Sequence, residues 1–288
     1  MSARAAIDKG SVRHFNIERV GKGESGPATD AVATEEPLEI RLAYSRPDGK
    51  RAQQSISVTM RTPGNDDELA AGFLFTEGIV RNRADLSSIA PCGPPAPNGL
   101  INVVRVELGK DVEVDLDRLE RHFYTSSSCG VCGKSSLDAV AVQGHFDARE
   151  SSLALSAGKL GALPAALLRK QDMFEKTGGL HASGLFNSDG EVLAVREDVG
   201  RHNALDKLIG QALLGDELPL LDFGVVLSGR ASFELLQKAM MAGLPLVAAV
   251  GPPSSLAIEL AEEFGITLVG FLKPDRFNVY AHPARVLT

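Results

Sequence analysis

The 288-residue chain has no tryptophan, and its aromatic content of 5% is low beside an ordinary hydrophobic content of 44%. No stretch approaches the roughly 18 apolar residues of a membrane span, which excludes a membrane helix on length. Met1–Gly10 has no apolar run of the kind found in a signal peptide, so the expected location is the cytoplasm. An excess of positive charge is also missing. The net charge is −7 and the pI near 5.5, which argues against an extended nucleic-acid surface. Three cysteines are too few, and odd in number, for a disulfide framework, so a reducing compartment is expected. The length suits two domains of ordinary size.

What the chain does have is a concentrated sulfur motif. Thr125–Leu137 carries Cys129 and Cys132 as Cys-x-x-Cys among serines and glycines, with Lys134 behind them. A short helix is expected to begin after Leu137. Cysteines at a helix start see unpaired N–H groups and the positive end of the dipole, which stabilise the thiolate. Ser127 and Ser128 are placed to donate hydrogen bonds to it, and the pattern favours a reactive sulfur site on a flexible loop. Half of a structural zinc site and a pair of inert loop cysteines are the competing readings. Zinc needs two further ligands, and Cys92 stands alone with no second Cys-x-x-Cys and no His-x(3–5)-His. The expectation is therefore no metal and no zinc.

In chain order, residues 1–35 show no periodicity and are expected to form a flexible N-terminal arm. Leu38–Tyr44 and Ser55–Arg61 alternate as a hairpin around Pro47-Asp48-Gly49. A helix follows, with Asn65 as its cap, Glu68 reaching back, and Gly78 as its end. After the Pro91–Pro97 turn comes a strand over Leu100–Leu108, closing a small α+β domain at residues 36–124. The remainder, 125–288, holds the cysteine loop and a second domain. Expected there are a helix over Leu163–Lys176, a hairpin Gly179–Phe186 and Val192–Glu197, and a helix Asn203–Leu214. Then strands at Phe223–Leu227, Leu246–Val250 and Ile266–Phe271 alternate with helices at Phe233–Met241 and Leu256–Phe264. This is an α/β pattern, a mixed sheet with helices on both faces and the hairpin as an antiparallel edge.

Three strand-to-helix turns, Arg196–Asn203, Ser228–Ser232 and Gly251–Ser255, put helix N-termini at the carboxyl edge of that sheet, where anionic ligands of open α/β sheets bind. They carry Arg201, His202, Ser228, Gly229 and Arg230. The last strand runs into Gly270-Phe271-Leu272-Lys273-Pro274-Asp275-Arg276-Phe277 at the same edge. Lys273 and Arg276 supply charge for a pyrophosphate, Phe271 or Phe277 a face for a flat ring, and Asp275 an acceptor for ring nitrogens. Plainer roles compete. His202 caps its helix, His181 is a satisfied core histidine, Asp198 pairs with Arg201, Thr177-Gly178-Gly179 merely stops a helix, and Phe233, Met240 and Met241 belong to the core.

The motifs Ser127–Gly133, Thr177-Gly178-Gly179-Leu180-His181-Ala182, Arg196–Lys207, Ser228-Gly229-Arg230 and Arg61–Leu74 together resemble the formate dehydrogenase accessory sulfurtransferases. The likeness runs from about Leu38 to Val286, and the arm before it is not covered. It implies a cytidine-deaminase-like main domain and a sulfur carrier. Such a carrier accepts sulfur from a cysteine desulfurase as a cysteine persulfide. It passes the sulfur to the molybdenum or tungsten bis-guanine-dinucleotide molybdopterin cofactor destined for the formate dehydrogenase catalytic subunit. The resemblance also implies a homodimer and places the cofactor on Gly270–Arg276. In a Cys-x-x-Cys at a helix start the N-terminal cysteine is the more exposed and more acidic, so Cys129 is expected as carrier and Cys132 as helper. A zinc deaminase is the rival on fold, but its His-x-Glu and Pro-Cys-x-x-Cys positions read Arg201-His202-Asn203 and Ser228-Gly229-Arg230 here. A thiol–disulfide oxidoreductase and a non-catalytic chaperone of the dehydrogenase are the alternatives of other classes.

Overall fold

The computed structural model describes residues 10–46, 48–112, 114 and 146–288. Cys129, Cys132 and the expected domain boundary at residue 124 lie outside these. The segment expected to be a flexible arm instead contains an antiparallel hairpin, β1 (Val12–Val20) with β2 (Ser25–Ala33). Its alternation is hard to see because most of its side chains face solvent, apolar ones such as Phe15, Val20 and Val32 among them.

A four-stranded sheet follows, in the order β4-β3-β6-β5, built from β3 (Glu36–Ser45), β4 (Arg51–Arg61), β5 (Leu86–Pro91) and β6 (Val103–Leu108). Leu38, Ile40 and Leu42 point inward at period two, and none is exposed. The expected hairpin is β3–β4. β5 is the strand that escaped the pattern, since Ser87 and Ser88 interrupt its apolar residues. Helix α1 (Asp66–Thr76) leaves this sheet. Its capping differs from expectation: Asn65 is left-handed at φ 57° and its side chain bonds nothing in the first turn. Glu68 is drawn instead into a two-pronged pair with Arg196, at 2.5 and 2.6 Å. An arginine fork outcompetes a single backbone N–H for a carboxylate.

The expected helix over Leu163–Lys176 is two helices, α2 (Ala157–Leu168) and α3 (Asp172–Thr177). Ser156 caps α2 from the N–H of Lys159, so the helix begins earlier than its leucine stripe shows. Gly178, at φ 65°, ends α3 as anticipated. The six-stranded sheet has the order β13-β12-β11-β10-β8-β9, from β8 (His181–Phe186), β9 (Val192–Asp198), β10 (Gly224–Leu227), β11 (Leu246–Ala249), β12 (Thr267–Gly270) and β13 (Asn278–Ala281). β10, β11 and β12 are parallel, and β8 runs against β10. β9 runs against β8, so it ends at the same edge as the parallel strands. The hairpin edge was expected; the second antiparallel edge, β13, was not. A short parallel pair, β7 (Leu155–Ser156) and β14 (Val286–Leu287), ties the C-terminal end to the start of α2.

Helices cover both faces of this sheet. Val225, Leu227, Val247 and Ala249 face a core shared with α4 (Arg201–Leu214), α5 (Phe233–Met241) and α6 (Ser255–Phe264). Val226, Leu246, Ala248 and Val269 face Leu160, Leu163 and Leu167 of α2. Phe233, Met240 and Met241 are core residues. The first core continues without a break into Leu38, Ile40, Leu42 and Leu74 of the N-terminal sheet and helix. Its continuity depends on a close crossing of α1 and α4. A Cβ at Gly72 would stand 1.9 Å from the Asp206 carbonyl oxygen, and one at Gly210 would stand 1.8 Å from that of Glu68. Here two helices touch backbone to backbone, which only glycine allows.

Gly210→Ala should therefore destabilise the protein by about 2–3 kcal/mol, because the obstruction is backbone and cannot swing aside. Gly158→Ala on α2, where an added Cβ meets nothing within 4 Å, should be neutral or stabilising by about 0.4–1 kcal/mol. Urea unfolding of both variants checks this, and equal effects would discredit the tight crossing.

Candidate functional site

The carboxyl edge of the six-stranded sheet is assembled on a buried polar lattice. Asp198, at the end of β9, is fully buried. Its Oδ1 accepts from the Gly200 N–H (2.8 Å) and from Asn203 Nδ2 (3.0 Å). Its Oδ2 accepts from the Thr62 N–H (3.1 Å) and from Lys207 Nζ (2.7 Å). Lys207, equally buried, also donates to the Thr62 carbonyl (2.9 Å). Asn203 donates to the Met60 carbonyl (2.8 Å), so the first turn of α4 is bolted to the end of β4. The partner of Asp198 is thus Lys207 and not Arg201, since the 198/207 pair lies inside while residue 201 faces the edge. Glu197 is spent on α3, accepting from the N–H groups of Met173 (3.0 Å) and Phe174 (2.8 Å); burial nonetheless raises its pKa. One turn further along α4, Asp206 meets Lys238 of α5 at 3.0 Å, with Thr76 and Glu77 completing the group.

The turns themselves are knitted together by backbone. Gly251 N–H donates to the Gly229 carbonyl (2.8 Å), and Phe271 N–H donates to the Gly251 carbonyl (3.1 Å). Ala231 N–H reaches Pro252, and Ser254 N–H reaches Ala231. The edge is a platform rather than a set of separate loops. Ser228 belongs to its frame: its hydroxyl oxygen accepts from the Ala182 N–H at 2.9 Å.

The sequence-derived residues sort clearly on this platform. Arg201, His202, Gly229 and Arg230 stand on it with Phe271. His202 is the second residue of α4, behind the N-cap Gly200, and is not the cap. Its Nε2 lies 3.5 Å from Ser232 Oγ and 3.9 Å from Glu234. Phe271 adopts φ 53°, a strained conformation for a bulky residue, and the residue is 44% exposed. Leu272, expected among the ligand residues, is buried in the second core as the anchor of this segment. Gly270 is buried, and a Cβ there would stand 2.8 Å from Pro253. Lys273, Pro274, Asp275 and Arg276 form an exposed tight turn closed by the Lys273 N–H to the Arg276 carbonyl (3.0 Å). Phe277, half-buried, packs against the second core. The sequence reading missed Ser232 and Glu234, and treated His181 as core. His181 opens β8, and because β8 is antiparallel it lies at this edge, where its Nδ1 is 3.3 Å from the place of a Gly229 Cβ.

The electrostatics follow from this crowding. Burial lowers the His202 pKa to about 4, helped by Arg201 and Lys238, against the opposing effect of Glu234. His181 is lowered by burial and by Arg201, while Asp198 pulls it up. Both imidazoles are thus neutral at pH 7, beside a permanent guanidinium. The arrangement suits an anion with a flat ring attached: cations and helix N-termini for the anion, Phe271 for the ring.

Residues 33–287 match the profile of the FdhD/NarQ family. The chain belongs to that family. Among its FdhD/NarQ relatives are proteins named sulfur carrier protein FdhD. One from Streptomyces coelicolor is 48% identical over 273 residues, covering 94% of each chain. One from Mycolicibacterium paratuberculosis is 48% identical over 274 residues, covering 94% of this chain and 97% of the relative. A crystal structure described as a formate dehydrogenase accessory protein from Desulfotalea psychrophila aligns with a TM-score of 0.71. It is 26% identical and covers 96% of this chain and 99% of that one. Among the described residues, no helix is long and apolar enough to cross a membrane.

His202 should titrate near pH 4 in an NMR titration of the imidazole signals. Its folded pKa lies below the unfolded value, so its contribution to stability is present above about pH 6.5 and is lost as pH falls toward 4. Arg201→Gln should move the midpoint up, and an unchanged midpoint would remove Arg201 as a cause.

Proposed function

We propose that this protein is a sulfur carrier in the maturation of formate dehydrogenase, receiving sulfur at Cys129 and delivering it to a guanine-dinucleotide molybdopterin cofactor held at the sheet edge. Support for the carrier role comes from relatives nearly half identical over almost the whole chain that bear that name. Support for the acceptor comes from one observation above the others: the strained, exposed Phe271 ring is fixed by backbone hydrogen bonds to the same platform that carries Arg201 and Arg230. The bis-guanine-dinucleotide is the substrate here. Arg201, Arg230, Lys273 and Arg276 are the charges for its phosphates, Phe271 is the face for guanine, and Asp275 is the acceptor for guanine nitrogens.

The sulfur chemistry balances without an external redox agent. The Cys129 thiolate attacks the outer sulfur of a desulfurase cysteine persulfide. A new S–S bond forms on Cys129, the donor's S–S bond breaks, and the electron pair leaves on the donor cysteine. Attack of the Cys132 thiolate on Cys129 Sγ then closes a Cys129–Cys132 disulfide and expels hydrosulfide toward the acceptor. The two electrons that reduce the sulfur come from the two thiolates. The partners in this reading are a cysteine desulfurase, the formate dehydrogenase catalytic subunit and a second copy of the chain.

Incubation with an active desulfurase and cysteine should add the mass of one sulfur atom, removable by a reductant. Cys129→Ser should abolish loading, whereas Cys132→Ser should load and fail to deliver; no gain by the wild type defeats the carrier reading. Phe271→Ala should weaken GDP binding by about 1–3 kcal/mol in calorimetry and leave sulfur loading intact. Unchanged affinity would take Phe271 out of the site.

A further inference from the structure

Almost every charged group beneath the platform is already committed. Asp198 is bound to Lys207, and Lys238 to Asp206 and Glu77. Two side chains are not. Among the described residues, the Arg201 guanidinium makes no hydrogen bond or ion pair, and its buried Nε is left without an acceptor. His181 makes no side-chain hydrogen bond among them either, although its ring is half-buried. Close to both is His202, whose nearest polar contact, Ser232 Oγ, is long at 3.5 Å. A folded protein rarely leaves this much polar capacity unused in one place unless something else supplies the partner.

We infer that His181 is a ligand-contacting residue: together with Arg201 and His202 it grips a phosphate of the guanine nucleotide, and it takes up a proton as the phosphate arrives. This rests on the nucleotide-binding reading above. The geometry supports it in two ways. The antiparallel course of β8 delivers His181 to the edge where β10, β11 and β12 end. Gly229, facing Nδ1, has no side chain to cover the ring, and a Cβ there would stand 3.3 Å from it.

The proton follows from the charges. The groups facing His181 are Arg201, which disfavours its protonation, and Asp198, which favours it, with His202 nearby; burial adds to the effect of Arg201. Asp198 is neutralised by Lys207, so the free site keeps His181 uncharged. Each phosphate of the dinucleotide's bridging pyrophosphate brings one negative charge, and the terminal phosphate of the GDP probe about −1.5 to −2 at neutral pH; either reverses the local sign and favours imidazolium. His202 is different. It faces Arg201, Lys238, Glu234 and His181, and lies near pKa 4 between two cations. One anion does not lift its pKa to neutral pH, so it stays uncharged and serves as a hydrogen-bonding partner.

Calorimetry of GDP binding to the full chain, at pH 6.5 in buffers of different ionisation enthalpy, tests this with His181→Gln beside the wild type. The phosphate's own titration, near pH 6, is common to both proteins, so the difference between them is the readout. Wild type should take up more protons than His181→Gln. Its affinity should also rise more steeply from pH 8 to pH 6, by at most about tenfold per unit for one proton. A second measurement needs no variant: the NMR titration midpoint of His181 should rise on adding GDP. Binding with equal proton uptake in both proteins and an unmoved His181 midpoint overturns the inference and leaves nucleotide binding standing. Failure of the wild type to bind GDP at all overturns the nucleotide reading, and this inference with it.

Discussion

Asp198 lies in the interior with both carboxylate oxygens filled, by the N–H groups of Thr62 and Gly200, the amide of Asn203 and the ammonium of Lys207. A carboxylate taken out of water is costly unless its lone pairs are met and its charge is paired, and here both conditions hold. The same four bonds join three pieces of chain: the end of β4, the end of β9 and the first two turns of α4. Remove the carboxylate and Lys207 becomes an uncompensated buried cation, while the attachment of the start of α4 to β4 is reduced to bonds such as Asn203–Met60 and Lys207–Thr62. The position of Arg201 and His202 depends on that attachment, because they sit on the turn it holds.

This division of labour explains the long run Arg196–Lys207. Arg196 grips Glu68 of α1, Glu197 holds α3, Asp198 is the hub, and Asn203, Asp206 and Lys207 point inward to lattice partners. Only Arg201 and His202 are left facing the edge. The run is thus mostly scaffold, its polar side chains spent on holding helices and strands together. The scaffold is demanding because α1 and α4 touch at Gly72 and Gly210 without side chains between them. The polar lattice and the glycine crossing act on the same pair of helices, so their register cannot slip without breaking one or the other.

Local patterns carried much of the architecture. The stripe Ala204, Leu205, Leu208, Ile209, Ala212 places α4 correctly, and Phe233–Met241 is helical to the residue. The short apolar runs at 224–227, 246–249 and 267–270 are buried strands, because a strand covered on both faces has no reason to alternate. The failures share a cause. The hairpin β1–β2 is largely exposed, so its side chains do not record its period. Asn65 and Glu68 spell a capping box, yet an arginine 128 residues away outbid the local N–H. Leu272 reads as part of a ligand loop, but its neighbours in space are core.

The chain by itself determined its class, its parallel strands and helices, the cysteine pair, and the edge where helix N-termini gather. Each of these is written in residues close together in sequence, through periodicity, caps and spacing. Tertiary structure alone decided that Asp198 pairs with Lys207 and leaves Arg201 open, that Phe271 is held outward in a left-handed turn while Leu272 is buried, and that His181 joins the edge. Those outcomes depend on strand direction and on which distant groups compete for the same charge. Hydrogen bonds and ion pairs are settled by distance in space, and spacing along the chain does not encode that distance.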